Sequence, residues 1–312
     1  MNRLLSKIGN IKNGRILYSF LVNRIKFSPP VSRFLTKSIR TVLLLPQVSR
    51  RKIKALFLLR IDSPVSISSQ DGFALFSCED FPGAKELMRS AEQILNKSEL
   101  ESGSSGHSKF GKGKKWRRNI LTGEDLVRHP ELLRYLSSKK MLATVSRYLG
   151  TFPQIGDVQM WISEKNDQNE SSQLFHIDQE DYSQIKLFIY LNDVGPDMGP
   201  FTFIKARALK SIFKSSPLPF SRQQDDFIKK EAGGSNLVEV CGKKGTAAFV
   251  DTSRCYHFGS RTRCGRRIAL MVQYISLNCI REPNVSVMTP SIRDRIRKQG
   301  DSSEFSDLNV LL

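Results

Sequence analysis

Three patterns are missing from this sequence of 312 residues, and each absence removes a class of protein. The five cysteines include no Cys-x-x-Cys pair, so we expect neither a disulfide framework nor a zinc ribbon, but reduced thiols as in a cytoplasm-like compartment. No apolar run approaches the roughly 18 residues that a transmembrane helix needs, so a membrane-spanning anchor is not expected. Acidic residues are missing from positions 1–61 altogether.

That third absence makes the charge distribution uneven. Residues 1–61 contain 14 Lys or Arg, while the rest of the chain carries 35 basic and 30 acidic side chains, for a net charge of +19. Apolar and basic residues alternate there in short blocks that are broken by Pro29, Pro30 and Pro46, which predicts two or three short amphipathic helices. The basic character therefore belongs to an N-terminal extension.

Three roles remain open for this extension. It could bind an anionic membrane surface, or pack on the globular part and show a solvated basic face. An Arg-rich, acid-free start also fits mitochondrial import. Nucleic-acid binding is not expected, because no known motif or aromatic-interleaved basic patch supports it. We predict a cytoplasmic protein, with attachment to a membrane surface or a mitochondrial location as alternatives, and three segments: 1–61, 62–280 and 281–312.

The middle segment changes from helical to strand periodicity. Helices are predicted from Asp80 to about Leu95, over Gly123–Leu136 and over Ser138–Leu149. The composition of residues 101–118, rich in Gly, Ser and Lys and including His107, predicts a mobile basic loop. Residues 206–236 are predicted to form a long excursion over an active-site mouth. Short strands are predicted at Val158–Ser163, Gln173–Asp178, Ile185–Leu191, Phe201–Ile204, Leu237–Val240, Thr246–Val250 and Ile268–Ser276. The fold class is therefore mainly β with flanking helices (α+β), as a sandwich or jelly roll.

One short motif carries the chemistry. His176 and Asp178 are two residues apart in a predicted strand, so an imidazole and a carboxylate can face the same point. His257 follows a later strand by a short turn, and Arg267 begins the last strand ten residues further on. Two histidines and one carboxylate can bind one face of an octahedral metal, which leaves positions open for co-substrates.

This order of strands, turns and ligands resembles the phytanoyl-CoA dioxygenase family of iron(II) and 2-oxoglutarate-dependent oxygenases. The similarity runs from about Asp71 to Ile275 and is densest around His176 and His257. It implies a double-stranded β-helix (jelly-roll, cupin-like) core, with Fe(2+) held by His176, Asp178 and His257. Arg267 would anchor the distal carboxylate of 2-oxoglutarate, and dioxygen would be the second co-substrate.

The same resemblance implies a reaction. A C–H bond of a small or carrier-linked substrate would be hydroxylated, with succinate and CO2 as co-products. Related halogenases replace the carboxylate ligand by a small residue, so Asp178 favours hydroxylation. The chain departs from the family at Lys205–Ala208, where relatives commonly show a Gly-Ser-His-type turn, which leaves the substrate-side loop open. The alternative function is a non-catalytic β-barrel binding module with a basic membrane-surface N-terminal segment.

Further residues are expected near the 2-oxoglutarate end of the cavity. Adjacent strand residues face opposite sides, so only one of Arg266 and Arg267 can enter the barrel. Parity of the following apolar residues does not decide between them, whereas the family pattern favours Arg267. Gln159, Trp161, Lys186 and Thr202 are candidate cavity residues, and core packing is the alternative for Trp161.

Overall fold

The computed structural model describes residues 13–104, 117–165 and 173–299. Most of the predicted basic loop, including His107, lies outside these ranges. Three helices precede the first strand: α1 (Gly14–Asn23), α2 (Pro29–Leu43) and α3 (Leu45–Leu58). The later helices are α4 (Ala84–Ser104), α5 (Gly123–Arg128), α6 (Pro130–Leu136), α7 (Lys139–Leu149), α8 (Leu209–Ser215), α9 (Asp225–Ala232) and α10 (Pro290–Gln299).

The strands form two antiparallel sheets. They are β1 (Phe73–Ser77), β2 (Arg117–Asn119), β3 (Gln154–Glu164), β4 (Ile185–Tyr190), β5 (Phe201–Ile204), β6 (Leu237–Val240), β7 (Thr246–Asp251), β8 (His257–Phe258) and β9 (Arg266–Ile275). The larger sheet has the order β1-β7-β4-β9-β3-β2, and the smaller has the order β6-β5-β8. The class is therefore a mixture of helices and antiparallel sheet, as the strand pattern predicts.

Strand alternation divides the core into two layers. On β4, Leu187 and Ile189 join the core that the helices cover, whereas Phe188 and Tyr190 face the smaller sheet. The ring of Phe188 stacks on that of Phe201 from β5, with 4.0 Å between centroids. The two sheets thus pack face to face, and the candidate site lies between them.

Two predicted elements differ from the structure. The single helix expected over Gly123–Leu136 is two helices, because Pro130 disfavours helical backbone at His129, where φ is −119° and ψ is 67°. The prediction of a regular strand over Gln173–Asp178 was wrong. Residues there form only isolated bridges, at Phe175 and His176, with chain segments that are distant in sequence.

The predicted C-terminal segment, as far as residue 299, and the region 206–236 both pack on the core. In the predicted C-terminal segment, the backbone N–H groups of Ser286, Val287 and Met288 donate to the carboxylate of Asp157 at 3.0–3.1 Å. Ile292 and Ile296 of α10 bury their side chains in the helix-covered core. The region 206–236 carries α8 and α9, whose Ile212 and Ile228 are fully buried.

Candidate metal centre and its cavity

Two histidines from distant parts of the chain meet through backbone pairing. The N–H of His176 donates to the carbonyl of His257, and the reverse bond also forms, both at 2.9 Å. The N–H of Asp178 donates to the carbonyl of Thr252 at 2.9 Å. This short antiparallel contact keeps the two-residue spacing of His176 and Asp178 and places His257 beside them.

Both imidazoles are oriented by backbone carbonyls. Nδ1 of His176 lies 2.9 Å from the carbonyl oxygen of Leu174, and Nδ1 of His257 lies 3.0 Å from that of Cys255. A carbonyl oxygen only accepts, so each Nδ1 carries the proton and each Nε2 keeps a free lone pair. Metal-binding histidines commonly have this support.

The three side chains can hold one metal ion. One ligand atom from each of His176, Asp178 and His257 lies within 4.8 Å of the other two. Burial lowers the pKa of His257 to about 3, and burial also lowers the pKa of His176, so both rings are neutral near pH 7. Neutral imidazole is the form that binds a metal.

Asp178 is ionised and faces a lysine. Burial by itself would raise the pKa of Asp178, but Lys186, His257 and His176 together outweigh burial and hold that pKa below its ordinary value. Asp178 Oδ2 lies 2.7 Å from Lys186 Nζ, yet this buried oxygen receives no well-directed hydrogen bond. It therefore has a lone pair available for a cation, as a metal ligand requires.

Arg267 and Arg266 lie on opposite faces of β9. Arg266 is half-exposed and pairs with Glu99 at 2.7 Å. Arg267 is 2% exposed, donates from Nη1 to the carbonyl of Gly199 at 2.8 Å, and leaves Nε without a partner. Within residues 13–104, 117–165 and 173–299, no carboxylate forms an ion pair with Arg267. Burial lowers the pKa of Arg267, because no carboxylate compensates for the desolvation of its charged guanidinium.

A glycine turn supplies the carbonyl that Arg267 contacts. Gly199 has φ +70°, and a Cβ at this position would collide with the side chains of Ser260 and Thr262. Only glycine fits this left-handed backbone so close to neighbouring atoms. The Gly-Pro turn in the sequence therefore shapes the wall beside the guanidinium.

One cavity of about 360 Å³ contains the ligand set and most of the predicted co-substrate residues. The predicted residues that line it are His176, Asp178, His257, Arg267, Gln159, Trp161 and Lys186. Thr202 is not among them, because β5 turns Phe201 and Phe203 toward the cavity side and Thr202 the other way. The Thr202 hydroxyl donates to the carbonyl of Pro200 at 3.1 Å, and its side chain lines a different cavity.

Trp161 fits both interpretations of its role. Its ring packs in the core between the sheets, 6.3 Å from the ring of Phe188, and it also lines the cavity. Its indole Nε1 is buried without a hydrogen-bond partner in the structure. A polar group bound in the cavity would satisfy this donor.

Three charged cavity residues were missed in the sequence: Arg117, Asp157 and Glu180. The guanidinium of Arg117 lies 4.3 Å from the Trp161 ring centre and donates to Gln159 Oε1 at 3.0 Å. Burial, with a contribution from the charge of Arg267, lowers the pKa of Arg117 to about 10. Glu180 also lines the cavity, and burial beside Asp178 raises its pKa. Glu180 continues the two-residue spacing of His176 and Asp178, so that parity could have identified it, whereas only the pairing of β2 with β3 reveals Arg117.

Comparison with known proteins returns structural likenesses only. No protein-family model matches the sequence, and no curated protein matches it. EctD from S. alaskensis with bound Fe is 15% identical, with 69% of this chain and 78% of that chain covered and a TM-score of 0.46. HygX from Streptomyces hygroscopicus with nickel, 2-oxoglutarate and hygromycin B is 14% identical, with 72% and 90% covered and a TM-score of 0.44.

A third similar structure is the epimerase SnoN in complex with Fe3+, alpha ketoglutarate and nogalamycin RO. It is 13% identical, with 72% of this chain and 84% of that chain covered and a TM-score of 0.42. These likenesses are distant in both sequence and chain trace. The function of this chain is therefore argued from the geometry of its own cavity.

Proposed function

We propose that the protein is an iron(II) and 2-oxoglutarate-dependent oxygenase. The observation that carries this proposal is the buried, uncompensated Arg267 in the same cavity as His176, Asp178 and His257. A metal ligand set alone fits many proteins. A cation that requires an anionic ligand beside that set fits a metal-chelating dicarboxylate.

The ligand set favours a metal with open coordination positions. Two neutral imidazoles and one carboxylate form a mixed nitrogen and oxygen site, which suits iron(II) and leaves three octahedral positions free. Structural zinc sites are usually closed by four protein ligands. Within the described parts of the chain, His176, Asp178 and His257 are the only such group, and no fourth protein ligand closes it.

The cavity charge suits 2-oxoglutarate, which carries two carboxylates. Arg267 would bind the distal carboxylate through paired N–H donors, which a planar guanidinium provides. Arg117 and Lys186 add positive charge to the same cavity, while Gln159 holds the Arg117 guanidinium in place. These residues would attract and orient the dianion.

When bound, iron with 2-oxoglutarate and dioxygen supplies the oxidation of a substrate C–H bond, with succinate and CO2 as co-products. The protein's own residues position the reactants and exclude water. The rings of Phe188 and Phe201 stack beside the metal ligands, and the Phe201 ring lies 5.8 Å from that of His257. These apolar walls keep bulk water from the reacting atoms.

The finer assignments are part of the same proposal. They comprise membership of the phytanoyl-CoA dioxygenase family, a double-stranded β-helix core and hydroxylation as the outcome. The motif order around His176 and His257 supports the family, and two facing antiparallel sheets support the core. The substrate is a small or carrier-linked molecule, and the free indole N–H of Trp161 would help to orient a polar group bound in the cavity.

An anaerobic titration tests the proposal without depending on turnover. Iron(II)-loaded protein is titrated with 2-oxoglutarate while the weak visible charge-transfer band of the metal chelate is followed. We expect saturable binding in the wild type and none in His176→Ala. Thr202→Val is the matched control, since Thr202 lies outside the cavity. Absence of the band in fully iron-loaded wild-type protein would refute the proposal.

A further inference from the structure

The second N-terminal helix packs on the core with its polar side. The buried positions of α2 are Ser32, Arg33, Thr36 and Arg40. Arg33 donates from Nη1 to the carbonyl of Gln179 at 2.9 Å and from Nη2 to that of Asp181 at 3.0 Å. These bonds satisfy a buried guanidinium, so the contact is specific.

Buried or half-buried basic side chains continue along this segment, although α3 also buries the apolar Val48, Ala55 and Leu58. Lys37 pairs with Asp181 at 2.6 Å, and Arg40 pairs with Glu282 and donates to the carbonyl of Leu277 at 3.1 Å. On α3, Arg51 is buried and donates from Nη1 to the carbonyls of Phe152 and Pro153 at 3.2 and 2.7 Å. A surface helix of a globular protein ordinarily turns its apolar side to the core. Here much of the apolar side is turned outward.

The exposed apolar side chains of residues 16–59 make up what we call the apolar face. Thirteen of the eighteen large apolar side chains that are exposed in the described part of the chain lie in this face. Six of them are more than half exposed: Phe34, Val42, Leu45, Ile53, Leu56 and Phe57. Soluble monomers seldom expose so many apolar side chains together unless the surface binds something.

The charge around the apolar face selects the partner. Arg24, Lys26, Arg50, Lys52 and Arg60 are exposed there, and positions 1–61 contain no acidic residue. Two copies of this face would bring like charges together, so self-association is disfavoured. A nucleic acid would match the charge but would leave the aromatic and aliphatic side chains in water.

We infer that this apolar face binds the surface of an anionic lipid bilayer. Apolar side chains would enter the boundary between headgroups and acyl chains, while the basic side chains contact anionic headgroups. Among the described helices, none is both long and apolar enough to cross a bilayer. The inferred contact is therefore a peripheral one, and it is independent of the proposed oxygenase function.

Vesicle flotation of the full chain tests this inference. We expect the protein to float with vesicles of phosphatidylcholine and phosphatidylserine, to float much less with phosphatidylcholine alone, and to be released by salt, because screening weakens exposed charges. Arg50→Gln with Lys52→Gln should weaken binding by at least ~10-fold, from about 1 kcal/mol for each charge near an anionic surface. The matched control is Lys229→Gln with Lys230→Gln, which removes the same charge from exposed positions on α9.

The apolar contribution has its own pair of variants. Leu56→Gln should weaken vesicle binding several-fold, whereas Leu218→Gln, at a comparably exposed leucine outside the face, should not. No binding of the wild type to anionic vesicles would overturn the inference. Equal losses in the test and control variants would overturn it as well. A wild-type dimer in sedimentation equilibrium that Leu56→Gln dissociates would assign the face to self-association instead.

Discussion

Replacing Arg267 by methionine should separate ligand binding from stability. The guanidinium is 2% exposed, donates to the carbonyl of Gly199 and interacts with the Tyr190 hydroxyl, with no carboxylate partner among the described residues. Methionine keeps much of the side-chain volume and removes the charge. Because a buried cation without a partner costs several kcal/mol in desolvation, ligand-free Arg267→Met should be as stable as the wild type within ~1 kcal/mol, or more stable.

The effect on 2-oxoglutarate should be large. Two hydrogen bonds between a guanidinium and a carboxylate contribute about 1.5–3 kcal/mol each, or roughly 3–6 kcal/mol together. At 1.4 kcal/mol for each factor of ten, the dissociation constant should rise by a factor of roughly 100 to 10,000. The visible band of the iron(II) chelate measures this constant anaerobically, and urea unfolding with and without 2-oxoglutarate gives a second readout.

Arg266→Ala is the control for that experiment. Its side chain is half-exposed and pairs with Glu99, so its removal should change both stability and 2-oxoglutarate affinity little. Two results would refute the reasoning about Arg267. One is 2-oxoglutarate affinity in Arg267→Met within about threefold of the wild type. The other is a loss of several kcal/mol in the ligand-free protein, which would show that Arg267 serves the fold.

Three further predictions concern other buried groups. Lys186→Met leaves the Asp178 carboxylate without its countercharge, so the metal-free protein should lose about 3–5 kcal/mol of unfolding free energy. Divalent metal should restore part of this loss in urea unfolding, and an equal loss with and without metal would contradict the prediction. Burial raises the pKa of Asp251 to about 6, so the folded state binds more protons than the unfolded state between about pH 4 and 6. Stability should therefore fall by up to about 3 kcal/mol as pH rises through that window, relative to Asp251→Asn measured in parallel, and identical pH profiles would show that the shift is absent. Phe249→Ala should lower the free energy of unfolding by about 3–5 kcal/mol, because the fully buried Phe249 ring stacks on that of Phe76. A loss below ~1 kcal/mol would mean that the surrounding core collapses into the space that the ring leaves.

Local sequence patterns predicted most strands well. The strands at Phe201–Ile204 and Leu237–Val240 have the predicted bounds, and Ile185–Leu191 differs by one residue. Short apolar runs between turn residues are signals that neighbouring residues carry by themselves. The predicted helix over Gly123–Leu136 was wrong because Pro130 interrupts it, and a proline is itself a local signal.

The candidate site could be identified only by combining the sequence pattern with the tertiary structure. The spacing of His176 and Asp178 was readable in the chain, but the structure supplies the reciprocal backbone bonds that bring His257 to them. Parity alone did not distinguish Arg266 from Arg267, since apolar residues occupy both faces of β9. The packing of one face under helices and the other against the smaller sheet places Arg267 in the cavity.

The sequence by itself determined the types of the candidate metal ligands, their order and the two-residue spacing of His176 and Asp178, because those depend on covalent spacing and local backbone geometry. It also determined the basic, acid-free character of residues 1–61. Only the tertiary structure decided that Thr202 faces away from the cavity, that Arg117 enters it, and that α2 buries Arg33 and Arg40 while its apolar side chains face outward. Those outcomes depend on which surfaces meet, and contacts between residues far apart in the chain leave no periodic trace in the sequence.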